Sequence, residues 1–85
     1  MEKVNVKMPK QSVTAYFLTI VKRGSEHEVA ERLRKISDVT EVLVTYGLWD
    51  LVARIETENL QKLDSIITEI RKIKEIEQTT TLVGA

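Results

Sequence analysis

Two short apolar runs, VTEVLV and LVARI, meet across the segment YGLWDL of residues 46–51. Strand-like runs joined by so short a link fold back on each other, so the middle of the chain is predicted to be an antiparallel hairpin. Gly47 marks the bend: glycine takes up a positive φ at little cost, and it lets another backbone or a ligand come close. Asp50 stands at the mouth of the returning strand, next to Trp49. There a carboxylate serves either as an acceptor for backbone N–H groups or as an anchor for a cationic ligand.

The flanking sequence supplies the other elements. Thr14 to Lys22 reads TAYFLTIVK, rich in β-branched and aromatic residues and closed by Arg23 and Gly24, which predicts a first strand. Ser25 and Glu28 have capping-box spacing, and Val29, Leu33 and Ile36 recur at helical intervals. Glu26 and Glu28 lead this helix and Arg32, Arg34 and Lys35 trail it, as a helix dipole favours. Glu28 with Arg32, and Glu31 with Lys35, are spaced to pair on its surface. The hairpin then gives a second strand from Val39 to Tyr46 and a third from Asp50 to Glu56. Past Thr57 or Asn59, either of which can cap, Leu60, Leu63, Ile67 and Ile70 form a stripe widened by Ile66 and Ile73. Arg71, Lys72 and Lys74 close this second helix. Ile76 to Val83 is read as the last strand, so the order is βαββαβ.

Two right-handed crossovers in one chain place the first and third strands in the middle of a four-stranded antiparallel sheet. This is an α+β, ferredoxin-like fold with both helices on one face. The polar strands suit the edges, where Thr40, Glu41, Thr45, Glu77, Gln78 and the threonines from Thr79 would lie. Along the first strand Ala15, Phe17 and Val21 point one way and Tyr16, Leu18 and Ile20 the other. Whichever set lies under the helices, large apolar groups remain on the open side. Burying one such side chain is worth about 1.5–3 kcal/mol. Two or three per subunit, doubled by symmetry, favour a sheet-to-sheet dimer.

The 85 residues make one domain, with residues 1–13 as an N-terminal arm and residues 14–85 as the folded unit. The arm spaces Lys3, Lys7 and Lys10 among Val4, Val6 and Met8, and Pro9 limits it to an edge strand. It is too short for a helix-turn-helix. Thirteen basic and thirteen acidic residues balance, so no net field draws the chain to nucleic acid or to anionic lipid. The absence of cysteine removes disulfides and thiolate chemistry and fits a cytoplasmic location. The longest apolar run, AYFLTIV, is too short to cross a bilayer, and no signal-peptide h-region is present.

Catalytic and metal chemistry find little support. His27 sits among acids in the first turn of a helix, and no ligand motif accompanies it. Ser12, Ser25, Ser37 and Ser65 have no base placed by motif, and Ser25 is explained as a cap. The Arg23, Gly24 and Ser25 loop falls short of a phosphate fingerprint. RNA-binding domains of this topology stack bases on central-strand aromatics; Tyr16 and Phe17 are present, but LVARI offers none. No cofactor, metal or enzymatic activity is expected.

The βαββαβ order, the strand TAYFLTIV leading to a glycine, the phrase ISDVTEVLVTYGLWDLVARIET and the ending TTTLV resemble the effector-binding (RAM) domain of the Lrp/AsnC transcriptional regulators. The likeness spans residues 14–84. Its most specific part is Gly47, two intervening residues and Asp50 within a hairpin. Family members usually carry an N-terminal helix-turn-helix, which the short arm does not match, so the chain is similar to the stand-alone versions. The resemblance implies a homodimer assembling into a higher oligomer, with a small amino-acid effector held between dimers and a full-length Lrp/AsnC regulator as a further partner. By position it implies ligand contacts from Gly47, Leu48, Trp49 and Asp50 and, on the last strand, from Thr79, Thr81 and Leu82. Asp50 would receive the ammonium, amides near Gly47 and Leu48 and a threonine hydroxyl the carboxylate, and Trp49 would line the side-chain pocket.

The expected function is therefore an oligomeric effector-binding regulatory protein without its own DNA-binding domain, modulating transcription through assembly. Two other readings share the topology: a small dimeric ferredoxin-like enzyme, which here lacks an evident acid, base or nucleophile, and an ACT-type regulatory subunit, which would ordinarily be attached to a catalytic chain.

Overall fold

The computed structural model describes residues 12–84 and has the expected order of elements: β1 (Val13–Val21), α1 (Glu26–Arg34), β2 (Val39–Val44), β3 (Leu51–Thr57), α2 (Leu60–Ile70) and β4 (Ile76–Val83). All but two residues of the predicted arm lie outside the described residues. Val13 itself belongs to β1, where it pairs with Thr57. The four strands make one sheet in the order β2-β3-β1-β4, and every neighbouring pair is antiparallel. The apolar strands β1 and β3 are central and the polar ones are at the edges, as expected.

Both helices cover the face to which Ala15, Phe17, Thr19 and Val21 of β1 and Leu51, Ala53, Ile55 and Thr57 of β3 point. Val29, Ala30 and Leu33 of α1 and Leu63, Ile66 and Ile70 of α2 complete this core with Val42 and Ile73. Thr19 is the one polar residue at the centre of that layer. Its hydroxyl donates to the Gln78 carbonyl at 2.8 Å, so its burial leaves no unmet donor. The open side is now assigned: Tyr16, Leu18 and Ile20 face away from the helices with Leu43, Val52 and Leu82.

Several local expectations are corrected. Ser25 occupies the N-cap of α1, but its side chain makes no cap hydrogen bond. Its hydroxyl donates instead to the Lys22 carbonyl at 2.6 Å, within the turn that leaves β1. On α2 the cap is Asn59, which accepts from the Lys62 amide at 2.7 Å, while Thr57 donates to the Asp38 carboxylate. Leu60, counted in the apolar stripe, stands at the first helical position and points to solvent, 62% exposed. Arg71 is the C-cap, and no basic residue lies in the last turn proper. Glu31 pairs with Arg34 at 2.7 Å rather than with Lys35, and Arg32 reaches Glu75 rather than Glu28. These are surface pairs, whose partner choice follows rotamers more than spacing.

Candidate functional site

The hairpin link is longer than a tight turn. β2 ends at Val44 and β3 begins at Leu51, so Tyr46 and Asp50, read as strand residues, belong to the loop between. The loop is closed at its base by the Thr45 amide on the Asp50 carbonyl at 2.9 Å. The Thr45 hydroxyl also donates to the Trp49 carbonyl at 2.7 Å. A threonine is well suited to this, because its hydroxyl reaches nearby backbone groups that the ladder leaves free. Gly47 at the tip has φ of +126°, and a side chain there would meet nothing within 4 Å. Glycine is thus required by backbone conformation, not by close approach. Tyr46 is fully exposed and Leu48 is 77% exposed, so the tip carries two large apolar groups into solvent. Trp49 is half-buried.

Asp50 has a defined structural task. The last paired rung between β1 and β3 is Thr19 with Leu51. One step beyond it the Asp50 amide donates to the Thr19 carbonyl at 2.9 Å. Two residues along β1, the Val21 amide donates to Asp50 Oδ2 at 3.0 Å. The carboxylate replaces the carbonyl that β3 would offer if it continued, and so extends the ladder by a rung where the β1–β4 register also shifts, between Ile20 and Val21. Of the two roles read for Asp50, acceptance of a backbone N–H is met, though on the neighbouring strand rather than in its own turn. A carboxylate has about four acceptor positions, so one such bond leaves the group able to bind more.

Beside it lies a polar cavity of about 380 Å³, lined by Val21, Arg23, Glu26, Asp50 and Glu77. Arg23, Glu26 and Glu77 were not foreseen as neighbours of Asp50. They reach it from the turn before α1, from α1 itself and from the start of β4, and nothing in the local sequence records that convergence. Among the described residues no three His, Cys, Asp or Glu groups converge closely enough to hold a metal ion. The cavity offers carboxylate acceptors and one guanidinium, a donor set suited to ammonium and carboxylate groups of a small polar molecule. It contains no nucleophile paired with a base.

The residues expected on the last strand separate. Thr79 and Thr81 stand opposite Thr19 and Phe17 and share the helix-side row, whereas Leu82 stands opposite Tyr16 on the open side. Thr81 lines a different cavity, of about 260 Å³, with Leu60, Leu63, Asp64 and Ile67 of α2. The strand pairing puts β1 between the hairpin strand β3 and β4, so β4 is about 10 Å from β3. Asp50 and Thr81 therefore line separate cavities in one subunit, and Gly47, Leu48, Trp49, Thr79 and Leu82 line neither of the two.

The fold and this geometry define a class: a βαββαβ sheet module with one helical layer, one bare apolar face and an aspartate-braced hairpin projecting from one end. The Lrp/AsnC ligand binding domain matches residues 14–84, and the chain belongs to that family. It is 32% identical over 80 residues to the HTH-type transcriptional regulator FL11 of Pyrococcus furiosus, covering 94% of this chain and 53% of the regulator. With FL11 of Pyrococcus abyssi the identity is 36% over the same length, at the same coverage. The chain thus spans about half the length of the curated relatives it matches. Among solved structures, FFRP-DM1 superposes with a TM-score of 0.83 at 43% identity, over 86% of this chain and 99% of that one. Escherichia coli AsnC superposes with a TM-score of 0.81 at 24% identity, over 99% of this chain and 59% of AsnC, a likeness of fold. Both of the curated FL11 relatives are named as HTH-type transcriptional regulators.

Proposed function

We propose that this chain is a sensor module that binds a small amino-acid-like effector between copies of itself and passes the signal on through its state of assembly. One observation carries the reading. The hairpin contacts and the β4 contacts implied for the ligand lie apart within a subunit, while one sheet face, covered by no helix, exposes Tyr16, Leu43 and Leu82 and half-buries Leu18, Ile20 and Val52 between them. A site divided in this way is completed by other copies: the bare face supplies the drive to form a dimer, and the effector sits between dimers, where the helix-side threonines of β4 remain accessible. Asp50 takes the effector's ammonium on its remaining lone pairs, amides near Gly47 and Leu48 hold its carboxylate, and Trp49 walls its side chain. Thr79, Thr81 and Leu82 come from another copy. Contact with DNA belongs, in this reading, to a full-length regulator of the family working as partner. Among the described residues the two helices are both packed on the sheet, and none is long and apolar enough to cross a membrane.

A thermal-melt panel against the twenty amino acids tests the proposal. A true effector at a hundred times its dissociation constant adds about 2.7 kcal/mol of stability. Asp50→Asn keeps an oxygen for the Val21 amide but removes the charge, so it should abolish the effector's shift with little change in the unliganded melt. A flat panel would remove the amino-acid reading. A shift that survives in Asp50→Asn would remove Asp50 as the ammonium anchor.

A further inference from the structure

The central strands carry one basic residue into the bare apolar face, with Glu56 on the same strand and Glu41 on the edge strand β2. Arg54, on the central strand β3, shares a row with Glu41, Tyr16 and Leu82, and the next row is Leu43, Val52, Leu18 and Thr80. Anything that covers Tyr16, Leu18 and Val52 must also cover Arg54. A guanidinium cannot lose its proton at ordinary pH, so a cover that left it unpaired would strip its water without replacement.

The fold has prepared for this. Arg54 Nη1 pairs with Glu56 Oε2, two residues along the same strand and on the same face. The same nitrogen donates to the Thr40 hydroxyl at 3.2 Å, and Tyr16 is the cross-strand neighbour of Arg54 on β1. In the lone subunit the two charged side chains are still 34% and 42% exposed, and an ion pair so placed adds little to folding. Its arrangement is that of a pair neutralised in advance of burial. Over the central strands the face is then neutral and mostly apolar, while Glu41 on the edge strand β2 keeps its contact with solvent. The middle of the face asks for no counter-charge from what covers it, and the same face of a second copy meets that requirement.

Accepting the reading above that a second copy covers this face, we infer that the Arg54–Glu56 pair, braced by Thr40, sets the strength of self-association and not the stability of the subunit. Removing either partner leaves the other charge stranded under the cover. Removing both leaves two neutral groups that the interface tolerates.

Sedimentation equilibrium over a dilution series tests this with the full chain, Glu56→Gln, Arg54→Gln and the double variant. Each single change should weaken self-association by at least about 30-fold. The double variant should recover to within about threefold of the unmodified chain, because the two effects are not additive. Melting temperatures taken at dilutions where every form is monomeric should coincide, which separates an assembly role from a folding one. An unmodified chain that stays monomeric at millimolar concentration overturns the sheet-to-sheet reading and this inference with it. A self-associating chain whose single variants associate equally well overturns the inference alone. So does a double variant as weak as the single ones, or a monomer that melts lower in each single variant.

Discussion

The two faces of the sheet are built from the same strands and solve opposite problems. On β1, Ala15, Phe17, Thr19 and Val21 lie under the helices and are almost wholly buried. Their neighbours Tyr16, Leu18 and Ile20 are as large and as apolar, yet Tyr16 is 42% exposed. The covered face is finished by the chain's own helices. The other is finished by nothing within the described residues, and the charge at its middle is held in an internal pair. Burial of apolar area drives folding and association alike, so the contrast says which half of each strand serves the subunit and which serves its encounters. Phe17 and Leu18 put this to the sharpest test. Phe17→Ala should cost about 3–5 kcal/mol of subunit stability, a large share of the roughly 5–15 kcal/mol a domain holds. Leu18→Ala should cost about 1 kcal/mol in the monomer and act mainly on association. Urea titrations at low protein concentration give both numbers, and equal losses would erase the distinction between the faces.

At the hairpin end the contrast gives way to polar construction, and the next largest effect is expected there. Asp50→Ala removes the acceptor of the Val21 amide and should cost about 1–3 kcal/mol, the penalty for an unmet backbone donor away from water. Hydrogen exchange at Val21 should quicken while exchange at Phe17 keeps pace with global unfolding. Asp50→Asn should restore most of the loss. If Val21 exchanges at the same rate in all three forms, the carboxylate does not brace β1 and the end of the sheet is held by the Thr45 contacts alone.

The reading from residues alone reached the covered face more readily than the site. Alternation in TAYFLTIV and LVARI, helical spacing around Leu33 and Leu63, and polar residues at Thr40, Glu41 and Gln78 are repeated local signals, and each is enough to fix an element and its place in the sheet. What they could not settle was the choice of face, because both rows of β1 are apolar. The structure decides it through Ala53 on the pairing strand, whose small side chain makes room under the helices where Arg54 could not. The candidate site was legible only in its hairpin half. The neighbours Asp50 acquires, Arg23, Glu26 and Glu77, come from three separate elements. The role of its Oδ2 depends on where β3 stops relative to β1, a register that no spacing along the chain encodes. Ser25 shows the same limit on a smaller scale: its spacing to Glu28 is that of a capping box, but the turn leaving β1 brings the Lys22 carbonyl closer than the helix amides.

On the covered face one contact should respond to acid in a way that can be read. Thr57, buried on the covered side at the end of β3, donates its hydroxyl to the Asp38 carboxylate at 2.7 Å, and Lys62 lies 3.7 Å from the same group. The hydrogen bond from Thr57 is the main cause that holds Asp38 below its ordinary value of 3.8, with Lys62 assisting and burial opposing. A carboxylate depressed on folding stabilises the fold fully above its unfolded value, and the contribution is lost as pH falls through the folded value. Thr57→Val should therefore lower stability by about 1–2 kcal/mol near neutral pH, as expected for a hydrogen bond to a charged group that is partly screened. The gap between variant and unmodified chain should stay constant down to about pH 5 and narrow below the ordinary aspartate value. On the open side no such acid step is expected from Arg54, whose guanidinium keeps its proton throughout and is held above its ordinary value by Tyr16 first and by Glu56. Urea titrations of the monomeric forms from pH 7 to pH 2 would show this. A gap that does not narrow at low pH would mean that Thr57 supports the fold by packing alone, and the covered face would then carry no acid-sensitive contact at that corner.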